Sequence, residues 1–429
     1  MHLYEIPLIF ALVGLVLYTV LAGADFGAGM WQLLAGPGKL GERIRDHSHD
    51  SMAPVWEANH VWLVFVLVVV WTSYPTAFGS IASTLSIPLF IAGIGIVLRG
   101  ATYALRAGTT TGREVRLIDR TFAVASLVTP FALGTVIGGI ASGRVPVGNA
   151  AGDLFSSWLN PTGILIGVVA VATSAYLSAV YLAADAVRAQ DADLEAAFRL
   201  RALAAGVLAG AVALAGLAVL HSDAHRLYHG LLHDGGLVAL IISGVAGVAT
   251  LALVWSRRYE PARYTAALAV AAIVAGWALA QRPEFLPGLT IKQAAAPHDT
   301  LVLVVVVVIA GGAILLPSLV LLFRLVLGGH LGYGAEATAA AGPAGAGPGA
   351  GRGAGRGAPG RRPDARELLA ASASGLAARA AGAGLLVGIG LLTIADAGWA
   401  HVIGVVGLFC FIAFGFAAVA PAELAAGSE

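Results

Sequence analysis

The chain has 429 residues, of which 58% are hydrophobic and only 11% are charged, and its formal net charge at pH 7 is +1. A soluble protein carries roughly a quarter charged residues, so this composition excludes an ordinary water-soluble enzyme and predicts a polytopic membrane protein. The single cysteine, Cys410, excludes a disulfide framework and a thiolate metal site within the chain. No nucleic-acid partner is expected.

Nine apolar stretches are long enough to cross a bilayer. A span needs about 20 apolar residues, and backbone groups in lipid must pair internally, so we predict nine helices. In chain order the stretches are Leu8–Leu34, Val55–Trp71, Ala77–Leu98, Phe122–Ile140, Pro161–Ala184, Leu203–Leu220, Leu237–Trp255, Thr265–Ala280 and Leu301–Leu327. The first continues past signal-peptide length after an acidic flank at Glu5, so we expect it to be retained.

Basic residues concentrate in every second loop, and this alternation predicts the orientation. The odd-numbered loops carry Lys39, Arg43, Arg45, Arg99, Arg106, Arg113, Arg116, Arg120, Arg188, Arg199, Arg201, Arg257, Arg258 and Arg263. The even-numbered loops carry only Arg144, Arg226, Arg282 and Lys292. We therefore expect a multi-pass membrane protein with the odd loops inside and the N-terminus outside.

The amino-acid composition changes after residue 332. Residues 333–366 are rich in Gly, Ala and Pro, which is typical of a flexible linker, and the alternation places this linker in the cytoplasm. Residues 367–429 contain the apolar stretches Leu385–Ala395 and Val402–Ala420. Their combined length suits either two helices or one broken helix, so the predicted domains are 1–332, 333–366 and 367–429.

Three charged residues lie in or at the ends of the first three predicted spans. Asp25 lies within the first span, where insertion of an ionisable side chain into the membrane costs about 3 kcal/mol. A residue at such a position is expected to have a functional role. Glu57 is either an acid that complements the dipole at a helix start or a functional carboxylate. Arg99 is either a structural partner for Asp25 or an anchor at the cytoplasmic surface.

A row of four histidines follows the sixth span at a spacing of four residues. These are His221, His225, His229 and His233. On one helix they would share a face, as metal ligands do, although nearby glycines favour an interfacial polar segment instead. We therefore assign no metal site and keep these four histidines only as candidate metal ligands.

Iron ligands for a membrane haem are scarce in the predicted spans. Axial ligation needs His or Met inside the spans, and the methionines are Met1, Met30 and Met52. If the protein belongs to a redox complex, we expect another chain to bind the haem.

Two motifs resemble subunit II of the cytochrome bd quinol oxidases. Gly23–Met30, with the sequence GADFGAGM, is similar to the end of the first helix of that subunit. Ala53–Leu63, with the sequence APVWEANHVWL, is similar to its second-helix signature. Shorter similarities lie at Leu98–Gly100, Pro130–Gly134, Leu159–Gly163 and Pro287–Ile291. The resemblance covers residues 1 to about 330 and does not extend to the tail.

The resemblance implies an all-α fold of about nine transmembrane helices, arranged as two four-helix bundles plus one peripheral helix. One or two C-terminal helices would be additional. It also implies a quinol:oxygen oxidoreductase complex of a bacterial or archaeal cytoplasmic membrane, in which subunit I binds haem b and haem d, or haem b in place of haem d. A small accessory subunit is compatible with the resemblance, and ubiquinol and menaquinol are both compatible substrates.

The resemblance also implies roles for particular residues. Asp25 and Glu57 would be proton-relay carboxylates on a cytoplasmic uptake route, and Arg99 would tune their pKa values. Trp56, Asn59 and His60 would be supporting polar residues, and no catalytic residue is expected in this chain.

Two other classes of protein remain open at this point. A proton- or cation-coupled secondary transporter would also place acids within its spans, but it predicts a site at the midplane formed by unwound helices. A purely structural scaffold would keep the helices and need no acids.

Overall fold

A computed structural model describes residues 2–106 and 112–327, together with Ala383, Ile403, Val406 and Cys410. Within these ranges, the side chains of residues 50, 52–58, 103–104, 106, 113, 116, 315–317 and 319–327 lie outside the description. The chain divides into two compact units, Met1–Gly332 and Tyr333–Glu429. The predicted linker and C-terminal helices lie outside the described residues, apart from the four single positions.

The described part of the chain is almost entirely helical. A 3-10 helix at Leu3–Glu5 leads into the helices α1 Ile6–Leu33, α2 Gly38–Ser73, α3 Pro75–Thr84, α4 Ser86–Arg106, α5 Gly112–Ala141, α6 Pro161–Arg188, α7 Ala192–Asp223, α8 His225–Leu231, α9 Asp234–Trp255, α10 Tyr259–Gln281, α11 Ile291–Ala294 and α12 His298–Leu327. The strands β1 Glu284–Leu286 and β2 Leu289–Thr290 form one antiparallel hairpin. The prediction of an all-α membrane protein is therefore confirmed.

The long helices form two groups of four. In the first group, α1 packs against α2 and α5, and α4 packs against α5. In the second, α6, α7, α9 and α10 form a closed ring of neighbouring helices. The two groups meet where α6 packs against α1 and α5, whereas α12 touches the first group at few positions. This arrangement agrees with two four-helix bundles and a peripheral helix.

The number of spans remains a prediction. Six described helices have the length and hydropathy to cross a membrane, and a seventh candidate is the pair α3 and α4. The apolar parts of α2 and α12, Asn59–Ser73 and His298–Ile314, are shorter than a typical span.

The third predicted span is not straight. Ala77–Leu98 is divided between α3 and α4, whose axes differ by 81°. Pro88 explains the break, because proline lacks the amide hydrogen of a continuous helix and its ring clashes with the carbonyl four residues earlier, here that of Thr84. Pro88 is instead the third residue of α4, in the first turn, where proline is tolerated.

The second helix begins much earlier than the sequence predicts. We expected it to start near Val55, but α2 starts at Gly38, so Glu57 lies nineteen residues after the first residue of the helix. The interpretation of Glu57 as an acid at a helix start is therefore wrong. The additional polar turns pack against the second group of helices, with Ile44 and Ser48 buried and a His47 ring nitrogen 3.0 Å from the Leu182 carbonyl oxygen.

Ion pairs join the odd-numbered loops to one another. Arg43 pairs with Asp191 and Asp193, and Arg188 pairs with Glu260. The hydrogen bonds from Arg43 lower the pKa of the Asp191 carboxyl. These contacts place the first, fifth and seventh loops on the same face of the bundle.

The even-numbered loops are joined in the same way. Arg144 pairs with Asp223, Arg226 with Glu284, and Arg282 with Glu5 near the N-terminus. The hydrogen bond from Arg226 lowers the pKa of the Glu284 carboxyl. The fourth, sixth and eighth loops thus share one face with the N-terminus, as the distribution of basic residues predicts.

A buried acid–arginine site in the first helix group

The glycine-rich end of α1 allows the helix to pack closely against two neighbours. A β-carbon on Gly27 would clash with the Ser174 carbonyl oxygen of α6, and one on Gly29 would clash with the Ser126 hydroxyl of α5. Asp25 lies two residues before Gly27, and its side chain is completely buried. It is eight residues before Leu33, the last residue of α1, which corresponds to about 12 Å along the helix axis.

Arg99 of α4 provides the charge partner of Asp25. Its Nη2 donates to Asp25 Oδ1 at 2.7 Å and to the Asp25 carbonyl oxygen at 3.3 Å. Arg99 is only 1% exposed, so both charges are removed from lipid and water. A buried charge without a partner is costly, which makes this ion pair the main electrostatic contact of the site.

Two aromatic rings enclose the guanidinium group. The Arg99 Cζ lies 4.6 Å from the ring centroid of Phe26 and 4.6 Å from that of Phe122. Both distances are within the range of an attractive cation–π interaction. The rings keep the arginine away from lipid and restrict the orientation of its planar group.

Asn59 of α2 completes the described contacts of the carboxylate. Its Nδ2 donates to Asp25 Oδ2 at 3.3 Å, and its side chain is fully buried. His60, the next residue, interacts electrostatically with Asp25. The structure therefore brings together Asp25, Arg99, Asn59 and His60, which the sequence analysis assigned to one site.

Glu57 and Trp56 share α2 with Asn59, but their side chains lie outside the described residues. The backbone places Glu57 three residues before His60, and residues at this spacing lie on the same face of a helix. A role for Glu57 and Trp56 in the site stays a prediction.

Sequence analysis missed the aromatic part of the site. Phe26 and Phe122 are common hydrophobic residues in spans, and no sequence pattern links them to Arg99. Tyr18 had a detectable signal, because it precedes Asp25 by seven residues and so lies on the same face of α1. Its side chain is buried, and its hydroxyl has no hydrogen-bond partner among the described atoms.

The histidine row is divided among three helices. His221 belongs to α7, His225 and His229 belong to α8, and His233 immediately precedes α9. In the described part of the chain, no group of three or more His, Cys, Asp or Glu residues is arranged to hold a metal ion. A site that uses the whole row as ligands is therefore not formed.

The buried methionine of α1 is poorly suited to hold a haem iron. Met30 is 5% exposed and belongs to a cluster of buried apolar residues on α1, so little of its side chain is free to contact a haem.

The fold and the site define a class of protein. It is a polytopic, almost entirely helical membrane protein with a buried ion pair between two of its helices. The sequence matches the family described as cytochrome bd terminal oxidase subunit II over residues 3–326. The chain belongs to this family, and the resemblance noted from its motifs is confirmed.

Known proteins agree with this assignment. The chain is 24% identical over 241 residues to a Bacillus subtilis (strain 168) protein provisionally named cytochrome bd menaquinol oxidase subunit II, and the match covers 54% of this chain and 67% of that protein. It is 27% identical over 180 residues to the cytochrome bd-I ubiquinol oxidase subunit 2 of Escherichia coli (strain K12), covering 40% of this chain and 46% of that protein. The second match therefore spans less than half of that relative.

A solved structure has the same fold. A chain of the bd oxidase from Geobacillus thermodenitrificans matches with a TM-score of 0.58 and 25% identity, covering 76% of this chain and 99% of that chain. These comparisons favour the oxidase-subunit interpretation and give no support to a secondary transporter.

Proposed function

We propose that this chain is the subunit II partner in a complex that oxidises quinol and reduces oxygen to water. The observation that carries the proposal is the family match over residues 3–326, which covers nearly all of the long helices. The burial of Met30 supports placing the haems in a separate subunit I. Haem b and haem d, or haem b alone, would belong to that partner, and quinol would be the complex's substrate.

Isolation of the complex tests this assignment. The full-length chain, tagged and expressed with the genes that accompany it, should copurify with a second polytopic subunit and quinol-driven oxygen consumption. A reduced-minus-oxidised spectrum should show haem bands from that complex. Recovery of this chain alone with stoichiometric haem would contradict the proposal that subunit I binds the haems.

We further propose that Asp25 and Glu57 relay protons from the cytoplasmic side toward the partner's oxygen-reducing haem. A relay acid must be able to exchange a proton with neighbouring polar groups, whereas a structural acid needs only its ion pair. The Asp25 carboxylate touches polar groups from two other helices, Arg99 and Asn59. This arrangement supports a role in proton transfer.

Buried polar atoms without protein partners give the relay further support. Nε and Nη1 of Arg99, Oδ1 of Asn59 and the Tyr18 hydroxyl make no hydrogen bond within the described part of the chain. Buried polar atoms are normally paired with protein or water, so these positions are suited to bridging waters that could carry a proton. Tyr18 lies about 10 Å from Asp25 along α1, farther from the predicted cytoplasmic end.

A further inference from the structure

Two exposed imidazoles approach each other closely at the junction of α7, α8 and α9. Nε2 of His225 and Nε2 of His229 are 2.9 Å apart, and their ring centroids are 4.4 Å apart. Both side chains are exposed and both belong to α8. Their spacing of four residues places them on one face of the helix. This pair is far in sequence from Asp25 and plays no part in the proposed proton route.

The hydrogen-bond network assigns the lone pair of His225. Its Nδ1 lies 3.0 Å from the carbonyl oxygen of His221, and a carbonyl oxygen can only accept, so Nδ1 carries the hydrogen. In the neutral imidazole, Nε2 of His225 then has the lone pair, and His229 Nε2 donates to it. Histidines that bind metals are commonly held in this way, with the second ring nitrogen bonded to a backbone carbonyl.

From this geometry we propose that His225 and His229 form a surface site for one divalent transition-metal cation, with Cu²⁺ bound most tightly. Two nitrogens 2.9 Å apart, each about 2.05 Å from one ion, subtend an angle of about 90° at that ion. This angle suits the tetragonal coordination of Cu²⁺ or Ni²⁺ better than the tetrahedral coordination of Zn²⁺. The general order of metal affinities also places Cu²⁺ first.

Binding requires only small changes in the two side chains. Both rings turn so that their Nε2 lone pairs converge on the ion, and the hydrogen on His229 Nε2 moves through water to Nδ1 of the same ring. No oxidation or reduction takes place. Because the described residues form no cluster of three or more metal ligands, water occupies the remaining coordination positions.

Titration of Cu²⁺ into the purified full-length protein in its complex tests the site. The purification tag must contain no histidine. Electron paramagnetic resonance should detect one equivalent of Cu²⁺ with splitting from two nitrogens. His225→Gln and His229→Gln should each weaken binding at least about tenfold, since even the loss of a residue that supports a ligand costs 10- to 100-fold.

Two further variants serve as matched controls. His221→Gln keeps the carbonyl group that orients His225, and His298→Gln changes another exposed histidine, which lies beside Asp299. Both should bind Cu²⁺ as the unmodified protein does. Unchanged affinity in His225→Gln and His229→Gln would overturn the proposal, and so would an equal loss in either control. Neither result would affect the assignment as an oxidase subunit, which is tested by copurification.

Discussion

At the scale of single residues, the Asp25–Arg99 pair dominates the electrostatics of the first helix group. Its atoms are 2.7 Å apart and both side chains are almost completely inaccessible. Such a pair contributes less stability than its short distance suggests, because removing two charges from water offsets much of their attraction. Removing one partner is different, because the remaining charge stays buried without compensation.

Arg99→Met should therefore destabilise the protein by about 3–5 kcal/mol. Methionine preserves much of the side-chain volume between Phe26 and Phe122 but leaves Asp25 without its cation. The thermal unfolding midpoint of the purified complex measures the effect. The double variant Asp25→Asn and Arg99→Met should be more stable than Arg99→Met alone, because it no longer buries an unpaired charge. Equal stability of the single and double variants would contradict this account of the pair.

Some residues of this site can be predicted from the sequence. Asp25 and Arg99 stand out because charged residues are rare in apolar stretches, and adjacent helices usually pack together. The two aromatic rings around Arg99 were not accessible, because contacts between residues distant in the chain depend on how the helices rotate against each other. The hydrogen bond of Asn59 to Asp25 is known only from the packing of α2 against α1.

At the scale of helices, close packing at the end of α1 holds the site together. Gly27 faces the Ser174 carbonyl and the Ser178 hydroxyl of α6, so these two backbones are too close for any side chain. Small residues at helix interfaces in membranes commonly serve this purpose. The packing of α1 against α6 also joins the two groups of four helices.

Gly27→Ala should destabilise the complex by about 1–3 kcal/mol, since the added methyl group forces α1 and α6 apart. Gly93→Ala in α4 is the matched control, because a β-carbon there would have no atom within 4 Å. The control should be neutral or more stable by up to about 1 kcal/mol, given the higher helix propensity of alanine. Thermal unfolding midpoints of the two variants, measured side by side, give the difference in stability. An equal loss of stability in both variants would contradict the close packing of α1 against α6.

Sequence analysis located the apolar parts of the helices better than their ends. Hydropathy detects only the segment in lipid, so the polar turns of α2 from Gly38 onward were assigned to a loop. Their helical structure depends on contacts with other elements, including Ile44 in the main core cluster and Arg43 with Asp191. The break at Leu85 was also missed, although Pro88 was a visible signal for it.

At the scale of the whole molecule, ion pairs divide the described loops between two faces. The odd loops hold most of the basic residues, which predicts that their face is cytoplasmic. The end of α1 that lies nearest to Asp25 is on this basic face. The proposed direction of proton uptake therefore depends on the orientation.

Labelling of single cysteines tests the orientation. In a Cys410→Ser background, which removes the only native cysteine, Gln190→Cys lies in an exposed odd loop and Ala151→Cys in an exposed even loop. An impermeant thiol reagent added outside intact cells should label Ala151→Cys and leave Gln190→Cys unmodified until the membrane is permeabilised. The reverse pattern would show that the N-terminus is inside and that Asp25 is near the outer surface.

We expect the carboxylates of Asp25 and Glu57 to transfer protons and not merely to stabilise the fold. Asp25→Asn and Glu57→Gln preserve shape but cannot exchange a proton in the same way. Asp185→Asn is the matched control, since Asp185 is a partly buried acid in α6 of the second helix group that pairs with Arg188.

Quinol-driven oxygen consumption by the purified complexes, normalised to haem content, is the most direct measurement. We expect both relay variants to assemble with normal haem spectra, since the amide oxygen of Asp25→Asn still accepts a hydrogen bond from Arg99, and to lose most of their turnover, whereas Asp185→Asn retains it. Failure of Asp25→Asn to assemble would identify its pair with Arg99 as structural. Full turnover in either relay variant with normal assembly would show that the residue concerned is structural. Full turnover after both carboxylates are replaced together would contradict the relay and leave this subunit as a scaffold for its partner.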